Sequence, residues 1–342
     1  MLFRSRIILT GAGTSAYVGD TVATYLSKKL NLRVESIPTT DIVSSPEDYF
    51  KAEVTTILIS FARSGNSPES LATYNLAEQI IKNLTQIVIT CNEEGKLAKQ
   101  CVKNAENLLL LMPKESDDKS FAMTSSFSCM LLTSLFIFDM ENFDNNVKVI
   151  ENVAKRGKSI LDTKTKEIME LVKLGCERVV YLGSSSLAGL SKEATLKSLE
   201  LTSGKICAIC ESSMGFRHGP KSITNDKTLV FVFVSSNKHT QKYDLDMIKE
   251  IYTDNGMQKV VAIAQAADKN LKDISYKVLT TDDQVGILED AYSALDFIIY
   301  AQLFAFFYSM ELGITPDNPR PDGTVNRVVE GVIIHEYVSN QI

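Results

Sequence analysis

Residues 59–71 read ISFARSGNSPESL, and the rest of the chain is best read outward from them. An apolar, β-forming run, Thr55 to Phe61, leads into Arg63-Ser64-Gly65-Asn66-Ser67-Pro68, and a helical pattern starts at once. This is the grammar of a buried strand, a tight polar turn and a helix with Ser67 as N-cap and Pro68 at its first position. Such a helix start presents unpaired N–H groups and a partial positive charge. Ser64, Ser67 and Arg63 add hydroxyls and a guanidinium suited to phosphate oxygens. A serine-capped strand-to-helix connection with no ligand accounts for the same residues, but similar serine-rich turns recur along the chain.

Toward the N-terminus, Arg6 to Leu9 is a short apolar strand, followed by Gly11-Ala12-Gly13-Thr14-Ser15 and a helix from about Ala16 to Leu30. The turn is half of a GxGxxG dinucleotide fingerprint. Its third glycine position holds Ala16, and the acidic candidate Glu35 lies inside the next strand rather than at its end. An NAD-dependent dehydrogenase is therefore the lesser reading. A glycine turn that admits a phosphosugar to the backbone, with Thr14 and Ser15 as donors, fits at least as well.

On either side of the opening stretch, strands at Arg33 to Ile37, Gln86 to Thr90 and Leu108 to Leu111 alternate with helical patterns at Ser67 to Lys82 and Lys96 to Lys103. Near-continuous apolar strands in this alternation imply a parallel sheet covered on both faces, with ligands beyond the strands' carboxyl ends. Thr124-Ser125-Ser126 opens a further apolar helix through Phe138. Those hydroxyls serve either as helix caps or as the third wall of a sugar phosphate pocket.

An acidic, amide-rich break at Glu141 to Asn146 and a long amphipathic helix from Asn146 to Leu174 place the domain boundary, giving domains 1–145 and 146–342. The pattern then restarts, with strands at Arg178 to Leu182, Lys205 to Ile209, Leu229 to Val234 and Val260 to Ala264. Helices are expected from Leu190 to Thr202, Tyr243 to Asp254 and Ile287 to Leu312. YLGSSSLAG beside ILTGAGTSAY reads as an internal duplication whose second copy has lost part of its anion-binding grammar.

Composition narrows the function. A length of 342 residues favours two domains, and 44% hydrophobic with 23% charged residues is ordinary for a globular protein. The net charge of −6 speaks against a general nucleic-acid binder. No uninterrupted apolar run suggests a membrane span, and the N-terminus enters a strand rather than a signal-peptide core, so a cytoplasmic protein is expected. The six cysteines lie mostly in apolar runs and read as reduced core residues. Cys207-Ala-Ile-Cys210 has CxxC spacing but no second pair, so no metal is expected there.

Chemistry concentrates in the second half. Lys197 and Glu200 share a helix face, with Glu193 one turn earlier. Gly215-Phe216-Arg217-His218-Gly219-Pro220 sets a histidine in a turn fixed by glycine and proline, where imidazole suits proton shuttling. The bland alternative for Glu193 and Lys197 is a surface ion pair.

Together the ARSGNSPES loop, the GAGTS turn and the E-x-x-x-K-x-x-E helix followed by R-H-G-P resemble the sugar isomerase (SIS) domain family. The likeness is greatest to its two-SIS-domain tagatose-6-phosphate ketose/aldose isomerases, also described as galactosamine-6-phosphate deaminase/isomerases. It spans essentially the whole chain, and the arrangement is similar to the isomerase half of glucosamine-6-phosphate synthase. It implies an α/β fold of two tandem SIS domains, each a parallel sheet flanked by helices in three layers. It also implies a hexose 6-phosphate substrate, no cofactor, and a homodimer or higher oligomer with shared active sites. Ser15, Thr14, Arg63, Ser64 and Ser67 would bind phosphate, and Thr124, Ser125 and Arg327 the sugar. Glu200 would be the enolisation base, Lys197 its electrostatic neighbour, and His218 the ring-opening acid/base, reaching across from a neighbouring subunit. Whether the outcome is isomerisation or deamination stays open, and a non-catalytic phosphosugar sensor is the alternative.

The synthase has an imine-forming lysine near its C-terminus, whereas no lysine follows Lys277 here. The tail, Asp317 to Arg327, is left to act as a lid through Arg320, Asn326 or Arg327, or to be plain surface. No glutaminase segment precedes the first strand, so ammonia delivery from glutamine is not expected.

Overall fold

A computed structural model describes residues 5–254, 259–267, 269–281, 286–329 and 331–338. The chain divides into two units, Met1–Gly19 with Leu26–Leu131 and Arg320–Ile342, and Asp20–Tyr25 with Leu132–Pro319. The division falls within a helix, ahead of the 145/146 boundary expected from composition, and the tail counts with the first unit because its side chains bond there.

In the first unit, β1 (Ser5–Thr10), β2 (Arg33–Ser36), β3 (Thr55–Ala62), β4 (Leu84–Thr90) and β5 (Leu108–Leu111) form a parallel sheet in the order β2-β1-β3-β4-β5. The connections are α1 (Thr14–Leu30), α2 (Thr39–Ser44), α3 (Pro46–Tyr49), α4 (Pro68–Ile80) and α5 (Lys96–Cys101), and α6 (Ser125–Ile137) follows the sheet. Ile8, Leu58, Leu76 and Ala77 pack into one core cluster, and Tyr74, Val88, Leu97 and Cys101 into another. The alternating α/β architecture read from sequence holds, with small additions in α2 and α3.

The second unit repeats the plan. Its helices are α7 (Phe143–Thr163), α8 (Thr165–Val172), α9 (Ser186–Leu201), α10 (Thr240–Thr253), α11 (Lys269–Asp273) and α12 (Asp290–Glu311). β6 (Arg178–Gly183), β7 (Cys207–Ser212), β8 (Thr228–Phe233), β9 (Lys259–Ala264) and β10 (Lys277–Thr280) run parallel in the order β10-β9-β8-β6-β7. Residues 146–174, expected as one helix, are split between α7 and α8 at Lys164. Tyr181 stacks on Phe231 with ring centroids 5.2 Å apart, and Phe233 on Phe297 at 6.1 Å. All four rings are fully buried, each contributing roughly 2–3 kcal/mol of apolar burial. α12 is apolar on every side and long enough to cross a membrane, but most of it is buried, packed on α7, α8 and α9.

Both sheets reverse direction beside their first strand. The crevice where ligands settle in such sheets therefore opens between β1 and β3 in the first unit, and between β6 and β8 in the second.

Candidate active site

In the first unit, the turns after β1 and β3 flank this crevice. A Cβ on Gly11 would lie 2.6 Å from the backbone and side chain of Ser15, so only glycine lets the chain turn so tightly into α1. Gly13, at the N-cap of α1, has φ 55° and brings no capping side chain, while Thr14 and Ser15 are buried. At the next turn, Ser67 takes the expected N-cap position with Pro68 following. Its hydroxyl pairs with the Ser70 hydroxyl at 2.6 Å instead of capping the backbone. No side chain caps the backbone at either helix start, although in α1 the Ser15 and Ala16 N–H groups donate to the Ala12 and Gly13 carbonyls at 3.2 and 2.9 Å. The β3 turn is braced from behind: the Asn92 amide donates to the Ser64 carbonyl at 3.0 Å, and Asn66 Oδ1 accepts from the Lys96 N–H at 3.1 Å.

The remaining residues expected at this end have partners of their own. Arg63 is buried and donates to the Phe121 carbonyl at 3.1 Å and to the Arg327 carbonyl at 2.9 Å, joining loop and tail. Asp118 fills the start of α6. It accepts from the N–H groups of Thr124, Ser125 and Ser126, each at 2.9 Å, and from the hydroxyls of Thr124 at 2.7 Å and Ser126 at 2.5 Å. Burial alone would raise the Asp118 carboxyl, but the Ser126 and Thr124 donors outweigh it and hold its pKa below the ordinary value. Arg327 donates to the carbonyls of Ser120, at 3.1 Å, and of Asp118, and lies 3.4 Å from Asp117 Oδ1. The tail is therefore latched onto the 117–121 loop.

In the second unit, α9 carries Glu193, Lys197 and Glu200. Lys197 and Glu193 have no exposed side-chain surface, which excludes a surface ion pair. Lys197 Nζ lies 2.6 Å from Glu200 Oε2 and 3.4 Å from Glu193 Oε1, while Glu200 keeps 22% of its surface open. Burial by itself would lower the pKa of the ammonium, but the two carboxylates prevail and raise it. A permanently charged lysine thus holds Glu200, one edge of which meets solvent. The helix seats closely because Gly189 meets the α1 backbone, where a Cβ would fall 2.4 Å from Asp20.

His218 is exposed at the end of a 3-10 turn, Gly215–Arg217. Its neighbours are tied to α10: Arg217 Nε lies 2.6 Å from Glu250 Oε2, and Lys221 Nζ lies 2.5 Å from Glu250 Oε1 and 2.7 Å from Asp254. The loop is held at both sides and offers its imidazole outward. No hydrogen bond or ion pair joins His218 to Glu200 among the described residues.

The second crevice is filled from within. The Asp244 carboxylate, fully buried, accepts from Ser184 Oγ at 2.7 Å, Ser213 Oγ at 2.6 Å and the Ser235 N–H at 3.0 Å. Asp290 accepts from Ser235 Oγ at 2.5 Å, the Ser236 N–H at 2.7 Å and Ser236 Oγ at 2.9 Å. These turns correspond in topology to those that flank the first crevice. Sequence reasoning missed Asp118, Asp244 and Asp290. Only Asp118, in a polar loop ahead of a hydroxyl-rich helix start, carried a local signal.

None of the six cysteines is in a disulfide, and Cys207 is exposed on edge strand β7. Among the described residues no three His, Cys, Asp or Glu side chains converge as a metal site requires. The model of the SIS domain matches residues 3–139. D-galactosamine-6-phosphate deaminase AgaS of Escherichia coli is 44% identical over 334 residues, 97% of this chain and 85% of the relative. The crystal structure of tagatose-6-phosphate ketose/aldose isomerase from Escherichia coli superposes with a TM-score of 0.89 at 41% identity, covering 98% of this chain and 87% of that one. A Clostridium novyi NT structure, provisionally described as the same kind of isomerase, gives 0.95 at 47% identity, covering 98% and 86%. Two glycine- and serine-turned parallel sheets, and relatives this similar over almost the whole length, establish that the chain belongs to the SIS (sugar isomerase) domain family.

Proposed function

We propose that the protein acts on a hexose 6-phosphate of the galactosamine/tagatose type, moving a proton between C1 and C2. The observation that carries this reading is Glu200, a partly exposed carboxylate fixed at 2.6 Å by a buried ammonium. Ser64, Ser67, Thr14 and Ser15 hold the phosphate at uncapped helix starts. Arg63 serves by holding loop and tail together. Thr124, Ser125 and Arg327 frame the sugar end through the loop that they fix. His218 assists ring opening, and its outward position suits delivery to a second copy in a homodimer or higher oligomer.

In the opened aldose, Glu200 takes the C2 proton, giving an enolamine when C2 bears nitrogen, and C1 is then reprotonated. The resulting C2 imine adds water and expels ammonia. Galactosamine 6-phosphate plus water thus gives tagatose 6-phosphate plus ammonia. With oxygen at C2, the same proton transfer interconverts aldose and ketose. The two activities named for the relatives therefore share one product skeleton and one base. A carboxylate and an imidazole suffice to carry these protons, and a cytoplasmic setting suits a phosphorylated sugar.

The test is turnover. Galactosamine 6-phosphate should release ammonium, and tagatose 6-phosphate should be scored for aldose, with wild type and with Glu200→Gln. Loss of about a hundredfold or more in kcat is expected for the variant. Folded wild type that turns over neither substrate, or a Glu200→Gln variant at full rate, would overturn the reading.

A further inference from the structure

Two thiols that the proposed reaction does not use meet at one serine of the first unit. Cys91, directly after β4, and Cys129, on α6, are each half-buried. They share Ser116, buried at the end of the 3-10 turn Lys114–Ser116. Its hydroxyl donates to the Pro113 carbonyl at 2.6 Å and stands 3.4 Å from Cys91 Sγ, and Cys129 hydrogen-bonds the same side chain. The Cys91 thiol also reaches the Ser116 carbonyl, at 3.9 Å. Burial pushes both thiols above their ordinary pKa, which keeps the reduced pair quiet while Ser116 stays with them.

Cys91 is also the middle residue of a clamp on the β3 turn. Thr90 Oγ1 donates to the Arg63 carbonyl at 3.4 Å, the Cys91 N–H to the Ala62 carbonyl at 3.3 Å, and the Asn92 amide to the Ser64 carbonyl at 3.0 Å. Residues 90–92 therefore hold three successive carbonyls where β3 enters its turn. Cys129 lies four residues, one helical turn, beyond Ser125 at the hydroxyl-rich start of α6. A covalent bond between the two sulfurs displaces the Ser116 side chain and draws the clamp toward α6. The backbone of Ser64, held by that clamp, moves with it.

We infer that Cys91 and Cys129 form a peroxide-responsive thiol pair, and that their disulfide disables the phosphate turn until it is reduced. The disabling step rests on the phosphate role proposed for the Ser64 to Ser67 turn, whereas the bond itself does not. One thiolate attacks hydrogen peroxide: the O–O bond breaks, the sulfur becomes a sulfenic acid and hydroxide leaves. The second thiolate attacks that sulfur, the S–S bond forms, and the S–O bond breaks to release a second hydroxide. With the two thiol protons, two thiols and one peroxide give one disulfide and two waters.

The experiment treats the reduced full chain with a small excess of hydrogen peroxide, alkylates the remaining thiols and maps disulfides by mass spectrometry of a digest made without reductant. Cys91 and Cys129 should be joined, while the buried Cys101 and Cys176 stay reduced. In calorimetric titration, inorganic phosphate should bind the oxidised chain about tenfold or more weakly than the reduced one, and dithiothreitol should restore the affinity. Cys129→Ser should keep its phosphate affinity through the peroxide treatment, and Cys129→Ala carries the same test if the serine variant does not fold. Cys91 and Cys129 that stay reduced, or that pair with other cysteines, overturn the inference. So does a Cys91–Cys129 disulfide that leaves phosphate affinity as it was. Reduced wild type that binds no phosphate overturns the phosphate role, and with it the disabling step, whether or not the disulfide forms.

Discussion

Replacing Lys197 by methionine keeps most of the side-chain volume and removes only the charge, so packing loss should stay below about 1.5 kcal/mol. The electrostatic loss is larger. The ammonium stands 3.4 Å from Glu193, which has no exposed surface, and 2.6 Å from Glu200, which retains 22%. Glu200 can recover some hydration when its partner goes, whereas Glu193 cannot. Leaving one buried charge of a pair uncompensated costs about 3–5 kcal/mol, a large part of a total stability of roughly 5–15 kcal/mol. Urea denaturation should therefore show a markedly lower midpoint for Lys197→Met with an unchanged slope. Adding Glu193→Gln removes the stranded charge, so the double variant should recover at least about 2 kcal/mol of the loss. A single-variant loss below about 1 kcal/mol, or a double variant whose loss equals the sum of the single ones, would refute the account of Lys197 as the compensating charge.

Four further outcomes follow from the structure. Asp296 is fully buried, and burial pushes its carboxyl up to about 7 against the opposing charge of Arg156, 3.8 Å away. A folded-state pKa raised from 3.8 stabilises at low pH and loses that contribution as pH rises through about 7. The interval corresponds to about 4 kcal/mol at most, and urea midpoints between pH 5 and 8 should fall less steeply in Asp296→Asn than in wild type. Ser185 sits at φ 55° and ψ −125°, so Ser185→Gly should raise stability by about 1 kcal/mol in thermal unfolding. Removing the latch with Arg327→Ala should speed amide hydrogen exchange at residues 117–121 and raise KM more than it lowers kcat. Titration of wild type with inorganic phosphate should give one site per chain, because Asp244 and Asp290 hold the donors of the second crevice, and two equal sites would contradict that assignment.

Much of this architecture is legible in the sequence because its units are long and apolar. Strands such as Leu229 to Val234, whose six residues are all buried, can be read from hydrophobic continuity, and the β3 turn from its Ser-Gly-Asn-Ser-Pro punctuation. Some short pieces were not legible. α2, α3, α11 and β10 have four to six residues each, too few to display a period. The break at Lys164 was hidden because α7 and α8 are both amphipathic and join without glycine or proline. Within the candidate site, spacing on one helix revealed Lys197 and Glu200, since three residues bring side chains together. What no spacing reveals is a partner from elsewhere in the chain. Arg63 meets the carbonyl of Arg327 across 264 residues, a tie between loop and tail that no local pattern announces.

The internal duplication explains why the two crevices behave differently. Gly11 and Gly183 sit at equivalent turns, and a Cβ on either would fall within 2.6 Å of the helix that follows. Gly13 and Ser185 share one unusual backbone conformation, φ 55° with ψ −128° and φ 55° with ψ −125°. A serine in glycine's geometry is what remains when a turn keeps its shape without the reason for it. In the second unit the donors that such turns present are satisfied by the side chains of Asp244 and Asp290, supplied by α10 and α12. A buried N–H or hydroxyl must be paired, so a crevice that gives up its ligand has to find an acceptor in the chain. Free of an exchangeable anion, that unit can keep a rigid core behind α9, the condition for holding Glu200 against Lys197 to within hydrogen-bond distance.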